Sequence, residues 1–549
     1  MFKTYSTISL LKPLISCVMY NLTYCVSVSV ALVSVIIAYL ILSNSKSVSM
    51  ANNGIIFVSN AAKAHKLCSK VSNLVKSILY IKFDSGPEST LSIINKQIVN
   101  IYSKCWMYDV RLMLKPRDTL TKIKTNYPIQ LIMYDKELSK ESDKLTNSLD
   151  NIQTEVLLQC FEDETPAMAS LTNEEVKTYE YVALGGTFDK LHNGHKILLS
   201  QAALRATKHV TVGVTDVNMI QSKILWELIE PVEQRIKAVL DFLTDINPDL
   251  EYNVLPIQDL YGPTKHDPRL QLIVVSEETI RGAVKINEKR NEKGLNELDI
   301  YTIGLAEDTN KQSAEEEKKV SSSNQRMRLL GTVLREPKLN PNIPDWPYVI
   351  GLAGGIASGK SNITEKLKLK GAAVVNCDII AHELYEPGLP LNHTIAETFG
   401  RDVITHKGEV DRKKLGSIVF SDKDQLEKLN RLVWPAVIEE AQRRIKALGE
   451  QGYKVVVMEA AVMVRAKWYT YCHQLWSVII PPAEAIKRLK ERNNLTEEEA
   501  KQRVDAQPSN KEQVDVANVV FSPYWSYEYT QTQIDRAWDQ LQQYLKKRK

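Results

Sequence analysis

The chain is predicted to be an α/β protein: two parallel-sheet units in tandem, preceded by an apolar anchor-like segment and an α/β accessory region. Three observations predict this. Two glycine-rich turns, "LGGTFDKLHNGH" (184–195) and "GLAGGIASGKS" (351–361), each lie between a β-rich apolar run and a helical run. From Tyr179 onward, strand and helix patterns alternate, which is how parallel sheets are assembled. The proline-rich stretch "REPKLNPNIPDWP" (335–347) separates the two units, because proline removes backbone donors and disfavours helix before it.

A chain of 549 residues accommodates roughly three or four domains. Charged residues make up 25% and hydrophobic ones 44%, the usual balance of a globular protein. The net charge of +4 gives no case for a nucleic-acid partner, which would need a concentrated basic face. The seven cysteines form no Cys-x-x-Cys pair, which argues against a zinc knuckle or a disulfide framework.

Taken in order, residues 1–50 form a leader. Between Lys12 and Lys46 no residue is charged, and its centre (23–43) is long enough for a membrane-spanning helix, which takes about 20 residues. Lysines flank both sides, so orientation is not set by the positive-inside rule. The expectation is attachment to a membrane, foremost the mitochondrial outer membrane facing the cytosol, with another membrane or the cytoplasm as alternatives. Residues 51–175 are an accessory region without a motif, ending in the polar stretch 160–175. No internal repeat is evident. The first α/β unit is placed at 176–335, the linker at 336–347 and the second α/β unit at 348–549.

The second glycine turn carries the firmer signal. Gly354, Gly355, Ile356, Ala357, Ser358, Gly359, Lys360 and Ser361 fit the P-loop pattern. Backbone N–H groups freed by the glycines turn toward phosphate, and the following helix start favours negative charge. Lys360 is expected at the β- and γ-phosphates of ATP and Ser361 at Mg²⁺. Asp378 ends the next apolar strand, where open α/β sheets place ligands, and is a candidate to accept a substrate proton; a helix N-cap is its alternative role. Arg492 and Arg503 flank a capping-box pattern at Thr496 and Glu499, and are candidates to close over a transferring phosphate or simply to face solvent.

In the first turn His192 and His195 lie three apart, and no third ligand with zinc spacing follows. A phosphate site explains more. Gly185 and Gly186 permit close backbone approach beside Thr187 and Phe188, and His195 falls at a helix start. Downstream, Ser321, Ser322, Ser323 and Arg326 in "VSSSNQR" offer hydroxyls and a guanidinium at another helix start, suited to departing β- and γ-phosphates.

On "GLAGGIASGKS", "CDIIAHELYEPG", "GEVDRKKLGSIVFSD", "LNRLVWPAV" and "NNLTEEEAKQRVDAQ", the second unit resembles dephospho-coenzyme A kinase. The resemblance implies transfer of the ATP γ-phosphate to the ribose 3′-hydroxyl of dephospho-CoA, with Asp378 on that hydroxyl. Trp434, Arg465 and Asn493 depart from the family pattern at positions that bear on fine substrate contacts; Glu459 is a candidate for the acidic role near Mg²⁺. On "LGGTFDKLHNGH", "ILWELIEPVEQRIKAV", "YGPTKHDP" and "IVVSEETIRGAVKINEKR", with the "VSSSNQR" signature, the first unit resembles phosphopantetheine adenylyltransferase. That implies a Rossmann-like nucleotidylyltransferase fold and adenylyl transfer from ATP to 4′-phosphopantetheine. It also implies Thr187 and His195 at the α-phosphate and Lys223 neutralising charge there. Both units in this order resemble the bifunctional coenzyme A synthases of animals. Other readings are a cytidylyltransferase-like enzyme fused to a small-molecule kinase, an aminoacyl-tRNA synthetase, or a membrane-tethered scaffold with a degenerate kinase half. Only 126 residues separate His195 from Ser321, and no basic anticodon-binding domain is evident, which disfavours the synthetase.

Overall fold

The computed structural model describes residues 50–59, 64, 67, 71, 74–84, 91–105, 109–115, 121–161 and 175–548. They contain three five-stranded sheets, each parallel throughout. The chain divides into two compact units. Among the described residues, those within 50–84 and 104–161 belong to the first, and those within 91–103 and 175–548 to the second.

The first unit, the accessory region, holds a five-stranded parallel sheet whose strand order no sequence motif marks. Strands β1 (Ala51–Val58), β2 (Val75–Phe83), β3 (Asp109–Met113), β4 (Ile129–Asp135) and β5 (Ile152–Phe161) order as β3-β2-β1-β4-β5. Seven of the eight residues of β1 are buried, as expected of a central parallel strand covered on both faces. At the carboxyl ends of β1 and β4, the Ser59 N–H and hydroxyl both donate to Asp135. Helix α1 (Leu91–Lys104), all but its last residue, groups with the second unit, where the Asn193 amide donates to the Tyr102 carbonyl at 2.7 Å.

In the second unit, β6 (Tyr179–Gly186), β7 (Ala206–Thr215), β8 (Glu251–Ile257), β9 (Leu272–Ser276) and β10 (Asp299–Ile303) order as β10-β9-β6-β7-β8. This is the topology of the first unit again. The earliest strand is central, the next two lie on one side, and the last two on the other. A repeat of topology therefore exists without a repeat of motif. The order reverses beside β6, so the crevice outside the carboxyl ends of β6 and β9 is the natural ligand position. Helices α2 (Asn193–Arg205), α3 (Val232–Ile246), α4 (Ile280–Glu292) and α5 (Ser322–Leu329) complete this domain.

The third sheet orders β12-β13-β11-β14-β15, from β11 (Tyr348–Gly354), β12 (Ala373–Asn376), β13 (Val455–Glu459), β14 (Gln474–Val478) and β15 (Val519–Phe521). Its helices include α6 (Lys360–Leu369), α7 (Cys377–Glu383), α8 (Lys423–Glu450), α9 (Pro482–Asn493), α10 (Glu497–Asp505), α11 (Asn510–Val516) and α12 (Tyr527–Lys547). All of β11 is buried. Tyr348, Ile350 and Leu352 point into the core shared with α6 and α12, and Val349 and Ala353 into the core shared with α8. Truncating such a residue, as in Leu352→Ala, costs about 2–5 kcal/mol.

The chain between these domains is not a free connector. Val333 bridges Val519 in antiparallel fashion, Gly331 N–H donates to Val520 O, and Leu334 N–H to Asn518 O. A Cβ on Gly331, at φ +73°, would fall 2.1 Å from the Gln533 carbonyl oxygen, so that approach requires glycine.

The anchor expectation is corrected. Among the described residues no helix is long and apolar enough to cross a membrane, and segment 23–43 lies outside the described residues. The membrane attachment and the mitochondrial outer-membrane location rested on that segment and are withdrawn.

Candidate functional site

The first cluster lies where β6 ends. To pass from strand to helix within a few residues, the turn places Phe188 and Lys190 in the left-handed region, at φ 51° and 50°. Phe188 is fully buried against His195, with ring centroids 5.3 Å apart. His192 and His195 stack at 3.7 Å with 20° between their planes. A Cβ on Gly194 would lie 3.2 Å from the His192 ring, so the small residue between the histidines permits the stack. Burial, with Lys196 and Arg326 nearby, pushes His192 down to about 3. Burial, then the charges of His192, Lys223 and Arg326, lowers His195 well below its ordinary value. Both rings are therefore neutral at physiological pH, and neither Nδ1 has a hydrogen-bond partner among the described residues. A neutral imidazole still offers one N–H to a phosphoryl oxygen.

The downstream serines converge on this turn. The Ser321 hydroxyl caps α5 by accepting from Asn324 N–H at 3.2 Å. The Ser322 hydroxyl donates to the Asp189 carbonyl at 2.9 Å and lies 3.4 Å from His192 Nε2. Arg326 takes a different place from the expected one. Its side chain is 1% exposed and its guanidinium pairs with the fully buried Asp189 at 2.7 Å. It also donates to the Ile224 carbonyl at 2.9 Å and to the Ser323 hydroxyl at 3.4 Å. Arg326 is thus a strut that joins the glycine turn, α5 and the Lys223 loop. Sequence reasoning missed Asp189, the "D" of "GGTFD", as its partner. It also missed Arg235, which is buried and donates to the Thr187 carbonyl at 2.7 Å. The Thr187 hydroxyl lies 3.2 Å from that of Thr215. Lys223 is exposed; protein crowding, then Arg326, lowers its ammonium.

The second cluster surrounds the Gly354–Ser361 turn. Ala357 and Gly359 adopt positive φ, 58° and 94°, and α6 begins at Lys360. Lys360 Nζ donates to the Gly354 carbonyl at 2.7 Å and to Gly355 at 3.2 Å. Burial lowers its ammonium against the opposing pull of Asp378 and Glu459. A cleft of about 790 Å³ is lined by Ile356–Ser361, Asn376, Asp378, Glu459, Arg488 and Arg492, among others. Asp378 is not the cap of α7: Asn376 accepts from Ile379 N–H in that role, leaving Asp378 to face the cleft. Its oxygens accept weakly from Ala461 N–H, at 3.3 and 3.4 Å. Glu459 accepts from the Thr364 hydroxyl at 3.1 Å, and burial raises its carboxyl.

Arg492 lines the cleft, whereas Arg503 stands exposed on α10 outside its lining. The capping box at Thr496 and Glu499 forms. Two residues of this site were not singled out from sequence. Arg488, four residues before Arg492 and so on the same helix face, donates to the Ala357 carbonyl at 3.5 Å and to Pro523 at 2.8 Å. Gln507 accepts from Ile356 N–H at 2.6 Å. Of the departures from the family pattern, Trp434 packs edge-on against Trp468 at 6.4 Å, and Arg465 is exposed.

Residues 348–523 match the family model described as dephospho-CoA kinase. Over 186 residues the chain is 38% identical to the dephospho-CoA kinase of Carboxydothermus hydrogenoformans, covering 34% of this chain and 90% of that protein. Through its C-terminal part, the chain belongs to the dephospho-CoA kinase family. The corresponding kinase of Syntrophus aciditrophicus is 38% identical over 193 residues, 35% of this chain and 82% of that protein. That of Bacillus cereus is 38% identical over 186 residues, 34% and 93%. Residues 183–328 match a model described as cytidylyltransferase-like. A dephospho-CoA kinase domain is thus fused behind a cytidylyltransferase-like domain, and ATP dependence accords with the kinase family.

Proposed function

We propose that this chain performs two consecutive ATP-dependent transfers, as the bifunctional coenzyme A synthases of animals do. The first moves an adenylyl group from ATP to 4′-phosphopantetheine and releases pyrophosphate. The second moves the γ-phosphoryl group of another ATP to the 3′-hydroxyl of the dephospho-CoA so formed. The supporting observation is the fusion itself: the domain before the kinase matches a cytidylyltransferase-like family model, and an adenylylated pantetheine is what this kinase family takes.

In the first transfer the attacking phosphate displaces pyrophosphate in line, so positioning and charge stabilisation supply the rate. His195 and Thr187 donate to the α-phosphate and Lys223 offsets its charge. The start of α5, with Ser321, Ser322 and Ser323, receives the leaving phosphates. Arg326 acts through the Asp189 pair that holds these parts together. In the second transfer Asp378 accepts the proton of the hydroxyl as its oxygen bonds to γ-phosphorus, and ADP departs. Lys360, Arg488 and Arg492 stabilise the charge on the transferring group. Ser361 and Glu459, both oxygen donors on one cleft, suit Mg²⁺, which would arrive with ATP and neutralise phosphate charge.

The test supplies 4′-phosphopantetheine, ATP and Mg²⁺ and follows dephospho-CoA and CoA separately. His195→Ala stops the first product. Lys360→Ala lets dephospho-CoA accumulate, with kcat of the second step lower by about 10²–10³-fold. CoA formed at the normal rate by Lys360→Ala would refute the kinase assignment. Equal use of CTP in the first step would favour a cytidylyl donor instead.

A further inference from the structure

The helix that presents Ser321–Ser323 to the leaving phosphates is short. Helix α5 has eight residues, below the length at which a helix is stable by itself. Its final carbonyls have no intrahelical partner and must be satisfied from elsewhere. The partners come from the kinase domain. The Tyr529 hydroxyl donates to the Met327 carbonyl at 2.7 Å. Arg536 donates to the Arg328 carbonyl at 2.7 Å and to that of Leu330 at 3.1 Å. A cation thereby sits at the negative end of the helix whose positive end faces phosphate. Beneath it, Met327, Leu330 and Leu228 share one buried apolar cluster with Ile479, Val514, Val520 and Tyr529 of the kinase domain.

The loop that carries Lys223 rests on the same support. Its Ile224 carbonyl accepts from Arg326. Four residues after Lys223, the buried Glu227 accepts from the Asn510 amide at 3.0 Å, and Asn510 also donates to the Ile480 carbonyl at 2.8 Å. Both of these parts of the first site are therefore held from behind by groups that belong to the second domain.

We infer that the kinase domain is a structural component of the adenylyl-transfer site, with Tyr529 and Arg536 as positioning residues for the phosphate-binding end of α5. The inference rests on the adenylyl-transfer reading of the first domain. Neither residue faces the kinase cleft, so their loss is felt in the other domain's reaction. A shift of about 1 Å in a positioned group is enough to lower a rate by orders of magnitude.

The experiment compares the full chain with Tyr529→Phe, Arg536→Met and Arg536→Lys in two separate assays. One measures dephospho-CoA formation from 4′-phosphopantetheine and ATP; the other measures CoA formation from supplied dephospho-CoA. In Tyr529→Phe and Arg536→Met, kcat/KM of the first reaction falls by about five- to tenfold, mainly through a higher KM for ATP, because the lost bonds hold the ATP-phosphate helix. Arg536→Lys, which keeps a cationic donor, recovers part of the loss, and the second reaction is unchanged. An unaltered first reaction, or a parallel loss in both reactions, overturns the inference. If the unsubstituted chain forms no dephospho-CoA, it is the adenylyl-transfer reading that fails.

Discussion

Replacing Arg326 by methionine separates two roles that the sequence leaves indistinguishable, a phosphate contact and a buried strut. The Arg326 and Asp189 side chains are 1% and 0% exposed and meet at 2.7 Å. Asp189 also accepts the Glu230 N–H at 3.0 Å, so it anchors the segment that follows the Lys223 loop. Removing one partner of a buried pair leaves an uncompensated charge and costs about 3–5 kcal/mol. At about 1.4 kcal/mol per factor of ten, local opening becomes roughly 10²–10³·⁵-fold more frequent. A single denaturation midpoint does not resolve this in a multidomain chain, so the measurement is native-state hydrogen exchange without nucleotide. Peptides that contain Glu230 and the 184–195 turn are expected to lose protection by that factor, while those of the kinase sheet keep theirs. If Arg326→Met weakens ATP binding and leaves protection at Glu230 within about threefold, Arg326 is a ligand contact and the strut argument is wrong.

Two further outcomes are expected. Asp378→Asn keeps the shape of the cleft but removes the proton acceptor, so kcat of the kinase step falls by about 10²–10⁴ while equilibrium ATP binding, measured by calorimetry, stays unchanged. His192 and His195 stay neutral as the pH is lowered, so their imidazole NMR signals hold steady between about pH 7.5 and about pH 5, and an inflection near 6.5 in either ring would contradict the buried stack. The same lowering has a stability consequence. Below about 6.5 the unfolded chain binds protons that the native rings refuse, so stability falls with decreasing pH, by at most about 1.4 kcal/mol per unit for each ring.

What was legible in the sequence was local. The P-loop and the His-x-Gly-His turn are short because glycine, helix start and phosphate-binding group must occur within a few residues, and β11 advertised itself as a continuous apolar run. The sheet of the first unit was not legible. It repeats the strand order of the second sheet but has neither the Gly-Gly-Thr-Phe-Asp turn nor the paired histidines, and topology leaves no mark at fixed spacing. Long-range partners were equally hidden. Asp189 and Arg326 are 137 residues apart, and a buried arginine looks in sequence like an exposed one. Arg488 and Gln507 reach the P-loop only because α9 and the chain after α10 fold back over it.

The pairing of Val333 with Val519 has a consequence for how the C-terminal part behaves when separated. Strand β15 is the last in its sheet, and residues 331–334 occupy its outer hydrogen-bonding rim. A fragment begun at Tyr348, where the family match begins, would leave that rim bare, with Val519, Val520 and Phe521 beside it. Bare strand rims recruit strands from other molecules. The segment that ends the first domain thus doubles as a guard against self-association of the second, and solubility is inherited across the boundary.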